Sequence, residues 1–277
     1  MNEKINIDKI ISYALSEDLP FGDITTDNII NIKKNSIALF IAKEDGVIAG
    51  QDIAKRVFSF LDENIKYEKK VEDGTIVQKG EIIASVEGNT KVLLSGERIA
   101  LNFMQRLSGI ATKTKQFCEK VEGLKVKITD TRKTIPGLRI LDRYAVRVGG
   151  GYNHRFCLSD GVLIKDNHIK AAGGIKEAIE MIKEKVPHTL KIEVETENLE
   201  QVKEALINNA DIIMLDNMSI DKIREAVKIV KGKVLLEVSG NINLEEIYEI
   251  ASTGINIISI GSLTHSVNAL DISMKII

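Results

Sequence analysis

The stretch LKIEVETENLEQVKEALINNADIIMLDN, residues 190–217, places two short apolar runs, LKIEVE and DIIML, on either side of a segment whose apolar residues recur at helical spacing. Strand, amphipathic helix, strand is the unit from which parallel sheets are made, because the helix returns the chain to the edge where it started. The same alternation extends in both directions. KVKIT (125–129) and GVLIK (161–165) precede it, and KVLLEV (233–238) and INIISI (255–260) follow, with amphipathic stretches such as IKEAIEMIKEKV, DKIREAVKIV and LEEIYEIAS between. Runs rich in Ile, Val and Leu on both faces predict a parallel sheet with helices outside. A closed barrel and an open doubly wound sheet both fit. The barrel is favoured because polar, reactive residues recur at nearly every strand end, where the loops of a barrel build its active site.

The first hundred residues read differently. Helical IDKIISYALSEDL, strand-like SIALFIAKEDGVIAG, helical QDIAKRVFSFL and strand-like EIIASVEG make an α+β pattern, and a long helix, ERIALNFMQRLSGIATKTKQFCEKV, leads from it into the second regime. With only three prolines and no low-complexity linker, two domains must pack closely.

Composition narrows the function classes. A chain of 277 residues, 44% hydrophobic and 28% charged, is long enough for a barrel with a smaller domain. It has no apolar run of transmembrane length, and MNEKINIDKI carries charges where a signal peptide needs its apolar stretch, so a cytoplasmic protein that does not enter membranes is expected. Lys plus Arg is 38 and Asp plus Glu is 40, a net charge of −2, which gives no general attraction to nucleic acid. Cys118 and Cys157 have neither the number nor the spacing of a zinc site or a disulfide framework.

The strand ends carry the chemistry. Asp130, Thr131, Arg132 and Lys133 follow the first run, and Lys165, Asp166, Asn167 and His168 the second. Glu193 and Glu195 end LKIEVE, while Asp216 and Asn217 follow DIIML. Glu237, Ser239, Gly240 and Asn241 end KVLLEV, and Gly261 and Ser262 follow INIISI. Arg132 can grip a carboxylate with two parallel hydrogen bonds, whereas Lys133 and Lys165 are point charges suited to phosphate. Between them, GLRILDRYAVRVGGGYNHR brings His154 and Arg155 behind the glycine triplet 149–151, which permits a turn that side chains would block. Arg139, Arg143 and Arg147 lie four apart on one helical face and are expected to be solvated or salt-bridged. Glu195 and Asp216 suit a divalent metal, sugar hydroxyls or a developing positive charge. The small-residue turns SGN and IGS can offer backbone N–H groups to a phosphate. The set implies a polycarboxylate and a phosphorylated, metal-associated sugar.

The runs EDLPFGDITT, GVIAG, ERIALNFMQRLSGIAT, DTRKTIPGLR, VGGGYNHR, GVLIKDNHI, IEVET, IMLDN, LEVSGNI and ISIGSLTHS, in this order from about residue 17 to 266, closely resemble the quinolinate phosphoribosyltransferase family. The resemblance implies an N-terminal α/β sandwich over 1–106, joined by C-terminal 269–277, and an irregular α/β barrel over 107–268. It implies phosphoribosyl transfer from phosphoribosyl pyrophosphate to quinolinate with decarboxylation, as a step of NAD biosynthesis. Carried over by motif, Arg132, Arg155 and Lys165, with His154, line the quinolinate site, and Thr131 is a further substrate-binding residue. Lys133, Glu195 and Asp216 serve the sugar diphosphate and its Mg2+, with Glu195 and Asp216 holding the metal directly or through substrate or water. Ser239, Gly240 and Asn241, with Gly261, Ser262 and Leu263, cradle the 5′-phosphate. Many members have a second glycine where Asn241 stands, which leaves side-chain contact there open. The family's arrangement is a homodimer in which Arg98 enters the partner's site, with hexamers left open. The alternatives are a transferase acting on nicotinate without decarboxylation, a molybdenum-transport-associated paralogue, and a binding module for phosphorylated metabolites.

Overall fold

The structure is a computed structural model that describes residues 2–30 and 34–277, with side chains from residue 6 onward. In chain order the elements are α1 (Asn2–Asp18), α2 (Ile24–Ile29), β1 (Asn35–Ala42), β2 (Gly46–Val47), α3 (Gln51–Leu61), β3 (Lys66–Lys69), β4 (Ile76–Val77), β5 (Ile82–Asn89) and α4 (Thr90–Lys120). They continue with β6 (Lys127–Thr129), α5 (Arg139–Val148), β7 (Val162–Ile164), α6 (Asp166–Ala172), α7 (Ile175–Lys185), β8 (Ile192–Thr196) and α8 (Leu199–Ile207). Last come β9 (Ile212–Asp216), α9 (Ile220–Val230), β10 (Leu235–Ser239), α10 (Ile247–Ala251), β11 (Ile257–Ser259), α11 (Ser262–His265) and β12 (Ile272–Ile276). Among the described residues, no helix is long and apolar enough to cross a membrane.

Two compact units emerge: residues 1–115, 134–150 and 264–277 form one, and 116–133 and 151–263 the other. These bounds differ from the expected 1–106 and 107–268. The break after 115, like one at 106, falls inside α4, a continuous helix of 31 residues. Residues 134–150 join the first unit because buried Asp142 on α5 accepts both arms of Arg106 on α4, at 2.9 and 2.8 Å, and Tyr144 donates to Asp73 at 2.6 Å.

The first unit is built on an antiparallel sheet of order β12-β1-β5-β3. The last strand closes it by pairing with β1, Ala38 opposite Ile276 through Ala42 opposite Ile272. Phe40 on β1 meets Phe58 on α3 edge to face, with ring centroids 6.2 Å apart, so the alternating buried positions of the strand receive the apolar face of the helix. Helix α4 buries Leu93, Leu101, Met104, Leu107 and Ile110 within its own chain, so its apolar pattern needs no second subunit to account for it.

The glycine triplet has a more local purpose than turning the chain. A Cβ on Gly149 would meet the carbonyl of Ala111 and stand 2.7 Å from the Thr114 Cβ, so α4 can lie against this point only if the side chain is absent. Gly150 takes φ +91°, and Gly151 takes no positive φ. Gly149→Ala is expected to destabilise the protein by about 1–3 kcal/mol through overpacking against backbone that cannot yield, read as a lower denaturant midpoint at unchanged slope.

The second unit carries six parallel strands in the order β6-β11-β10-β9-β8-β7. Register fixes which side chains share a face. Glu195 lies opposite Met214, Met214 opposite Glu237, and Ser239 opposite both Asp216 and Ser259, which in turn faces Thr129. With the strand period of two, Glu193, Glu195, Asp216, Glu237, Ser239, Ser259 and Thr129 all point to one side, and Ile128, Val194, Ile213, Leu215, Leu236, Val238 and Ile258 to the other. One face of the strands is therefore almost wholly apolar, and the second sets acids and hydroxyls among Ile212, Met214, Leu235 and Ile257.

That second face is concave. Tyr152 extends the β6 edge by a parallel bridge to Thr129, yet His154, two residues on, reaches Glu193 on β8 and Glu237 on β10. In a flat sheet those two strands would stand about 9.5 Å apart, since one strand intervenes. One imidazole nitrogen touches both carboxylates because the sheet curls into an irregular α/β barrel, with the acidic residues inside and the apolar face under the helices.

Candidate active site

The end of β6 is tied to the segment after Gly151 by one carboxylate. Asp130 is fully buried. Its Oδ2 accepts from the Asn153 side chain at 2.6 Å, and its Oδ1 from the His154 amide at 2.8 Å. Asp130 N–H in turn donates to the Tyr152 carbonyl. This clamp fixes the backbone between Arg132 and Arg155, whose charges act on each other. Arg155 donates to the Gly161 carbonyl at 2.8 Å. Burial, and then the neighbouring charge of Arg132, hold its pKa below the usual range, while Glu193 acts in the opposite sense. Two cations placed against each other's field are a standing demand for an anion.

Beneath them lies a trio. His154 Nε2 is 3.2 Å from Glu193 and 3.4 Å from Glu237, and the two carboxylates are 6% and 1% exposed. Burial alone would push the imidazole pKa down, but the hydrogen bonds to Glu193 and Glu237 outweigh it and bring it up to about 10. Burial raises the Glu193 carboxyl above its ordinary value, with His154 opposing. Nδ1 limits where the protons can sit, because it accepts the Arg155 amide N–H at 2.8 Å. A proton on Nδ1 would face that donor, so the proton that the carboxylates attract is shared on the Nε2 and Glu193 side. The same contact argues against a metal here, although the three ligand atoms lie within 4.8 Å of one another. A ligating histidine leaves Nε2 bare and donates from its other nitrogen, the reverse of this arrangement.

At the rim, Lys165 Nζ meets Glu195 Oε2 at 2.8 Å, and the Lys165 amide donates to His168 Nδ1 at 2.9 Å. Asp216 Oδ2 accepts from Asn217 at 3.0 Å, with Asn217 held at φ +51°. Both carboxylates are half-buried, hard oxygen donors on adjacent strands, which is the donor set that Mg2+ accepts. The turn after β10 packs against the turn after β9. Gly240 has φ +144°, and a Cβ there would stand 2.6 Å from Asn217 Oδ1. A groove of about 530 Å³ runs between the two turns, with Asn217, Ser219, Ser239, Gly240 and Asn241 in its wall. The turn after β11 lies beside them and opens α11 at Ser262.

Two family models cover the chain: the quinolinate phosphoribosyl transferase N-terminal domain matches residues 23–108 and the C-terminal domain residues 110–275. The chain belongs to the quinolinate phosphoribosyltransferase family. It is 46% identical over 272 residues to a probable nicotinate-nucleotide pyrophosphorylase (carboxylating) of Bacillus subtilis, covering 98% of this chain and 94% of that one. A crystal structure of nicotinate-nucleotide pyrophosphorylase from Ehrlichia chaffeensis matches with TM-score 0.94 at 46% identity over 98% of each chain. The human nicotinic acid phosphoribosyltransferase structure, at 12% identity and TM-score 0.63 over 92% of this chain and 74% of its own, shares the fold alone.

Within this member of the quinolinate phosphoribosyltransferase family, one unit collects most of the residues singled out by sequence. Arg132, His154, Arg155, Lys165, Glu195, Asp216, Ser239 and Gly261 all belong to it. Lys133 and Asn241 are exposed, and Thr131 spends its hydroxyl accepting the Lys133 amide at 3.1 Å, which shapes the turn. Leu263 is fully buried, so only its backbone could meet a phosphate. Of the three arginines on α5, Arg147 is exposed and Arg143 is buried. Arg98 lies in the other unit, exposed on α4. Sequence reasoning placed Glu193 and Glu237 at strand ends without a role and missed the clamp made by Asp130. The signal for the first two was their spacing of two from Glu195 and Ser239, which puts them on the same face one step deeper.

Proposed function

We propose that this chain transfers the phosphoribosyl group of phosphoribosyl pyrophosphate to quinolinate and releases pyrophosphate and carbon dioxide, giving nicotinate mononucleotide. The guanidinium groups of Arg132 and Arg155 carry this reading: two cations whose charges act on each other, with a buried carboxylate clamp fixing the backbone between them, suit a dianion better than a single carboxylate. Lys165 adds a third positive charge, and the residues together orient the pyridine nitrogen toward the anomeric carbon. Glu195 and Asp216 face the sugar, where negative charge stabilises the oxocarbenium-like transition state. Mg2+, held by the same carboxylates directly or through water, would offset the charge of the departing pyrophosphate. The turns 239–241 and 261–263 hold the 5′-phosphate through backbone amides. Once the ring nitrogen is quaternised, the adjacent carboxylate leaves as carbon dioxide and the ring holds the electron pair. The working assembly in this reading is a cytoplasmic homodimer.

Incubation with quinolinate, phosphoribosyl pyrophosphate and Mg2+ is expected to release carbon dioxide and pyrophosphate in equal amounts, with no turnover of nicotinate. Asp216→Ala is expected to lose this turnover while keeping quinolinate affinity. Glu195→Ala is expected to lose turnover and to weaken quinolinate as well, because Lys165 is left without its partner. Affinity for quinolinate without turnover in the wild-type protein would mark a binding module instead. Full turnover in both variants would make the carboxylate pair structural.

A further inference from the structure

The two carboxylates that face the sugar are held differently. Glu195 meets the cation of Lys165. Among the described residues, the Asp216 carboxylate takes one hydrogen bond, from the Asn217 side chain at 3.0 Å, and no ion pair. A carboxylate only accepts, so the amide must turn its NH2 to Asp216 and its Oδ1 the other way. That Oδ1 packs on Gly240, where a Cβ would stand 2.6 Å from it and 3.3 Å from the Asn217 Cα. The Asn217 backbone N–H donates to the Ser239 carbonyl at 2.9 Å. One residue thus ties the end of β9 to the turn after β10 by three contacts.

The backbone at this point is unusual. Among the described residues, three that are not glycine have positive φ: Asn209, Asn217 and Lys231. Asn209 follows the cap of α8 and Lys231 caps α9, where a left-handed residue commonly ends a helix. Asn217, at φ +51°, follows a strand instead. Asparagine tolerates this conformation better than most residues, but glycine would hold it at no cost. A side chain kept there, exposed in the wall of the groove between the two turns, points to a use for the amide itself.

We propose that Asn217 is a positioning residue: its side chain aims the Asp216 carboxylate at the sugar diphosphate and makes that aim part of the turn that receives the 5′-phosphate. This inference rests on the function proposed above. A neutral donor suits the task, because it fixes the direction of the carboxylate without neutralising it. The negative charge of Asp216 stays available to the oxocarbenium-like transition state and to Mg2+. Asn217 itself needs no contact with the reacting atoms.

Asn217→Gly is the deciding variant, since it deletes the amide, keeps the backbone N–H that reaches Ser239 and suits the left-handed backbone. A residue needed only for the turn would lose nothing by this change. The expected result is turnover lowered about tenfold to a hundredfold, with weaker calorimetric binding of Mg2+-loaded phosphoribosyl pyrophosphate and with quinolinate affinity and denaturant midpoint unchanged. Asn217→Asp keeps the shape but sets an acceptor against Asp216, and is expected to lose at least as much. It answers the same question should the first variant fold poorly. Added to Asp216→Ala, Asn217→Gly is expected to cause no further loss of binding of the loaded diphosphate, because no carboxylate remains to be aimed. Wild-type turnover and diphosphate binding in both single variants overturn the proposal, and a further loss in the double variant overturns the route through Asp216. Failure of the functional reading looks different: the wild-type protein then releases no pyrophosphate.

Discussion

Arg132→Lys is expected to lose quinolinate nearly as completely as Arg132→Ala. Conservation of charge is the obvious argument against this, and geometry is the answer to it. Arg132 is half-buried with its Nε inside the protein, in a turn whose shape is set by Thr131 accepting the Lys133 amide. Its head group is a planar fork that meets a carboxylate with two parallel hydrogen bonds, and a lysine ammonium reaching to the same place offers one. The contact is desolvated and charge-assisted, so breaking it costs about 2–5 kcal/mol, roughly thirty-fold to several-thousand-fold in affinity. Arg155 cannot take over, since it is already spent on the Gly161 carbonyl with one nitrogen and anchored through His154. Isothermal titration with quinolinate distinguishes the variants. Wild-type affinity in the lysine form would refute the two-pronged grip, and lysine falling midway would mean that charge, not geometry, dominates.

The doubled cation at the end of β6 was readable from sequence because a strand end, a charge and a turn are all local features. The strand-helix alternation was readable for the same reason, and so was the contrast between the first hundred residues and the rest. What a single run could not show is curvature. KIEVE and KVLLEV look like apolar strands interrupted by acids, and only the register that sets Glu195 opposite Met214 and Met214 opposite Glu237 gathers those acids on one concave face. The trio is then a consequence of closure: His154 follows one edge of the sheet, and its partners lie on β8 and β10. The membership of residues 134–150 was hidden for a similar reason, since it depends on Asp142 meeting Arg106 across 36 residues of chain. Gly149 was noticed as part of a triplet, but its need for a bare Cα comes from α4, which no local reading of GGG contains.

Arg98 raises the question of what a cation is for when it stands exposed near the start of α4 and, among the described residues, no hydrogen bond or ion pair is recorded for it. Its neighbour Glu97 has its carboxyl pKa raised by burial, with Arg98 opposing, so the pair shares a field but no contact. The apolar residues of the helix are buried in their own chain and say nothing about a partner. The proposal that Arg98 completes the site of a second subunit therefore depends on the exposed cation and on the family arrangement implied by the ERIALNFMQRL run. Mixing separates it from a site complete within one chain. Arg98→Ala and Arg132→Ala are each expected to be inactive or nearly so alone. In a two-fold dimer formed from one of each, both lesions fall in one pocket and the other pocket is intact. Random pairing makes half of the dimers mixed, each with one of its two pockets restored, so co-expression is expected to recover about a quarter of wild-type activity. If Arg98 instead serves its own chain, every pocket in every mixture keeps one lesion and no activity returns. Size-exclusion chromatography of the same samples guards the reading, because a monomeric protein with recovered activity would contradict both arrangements.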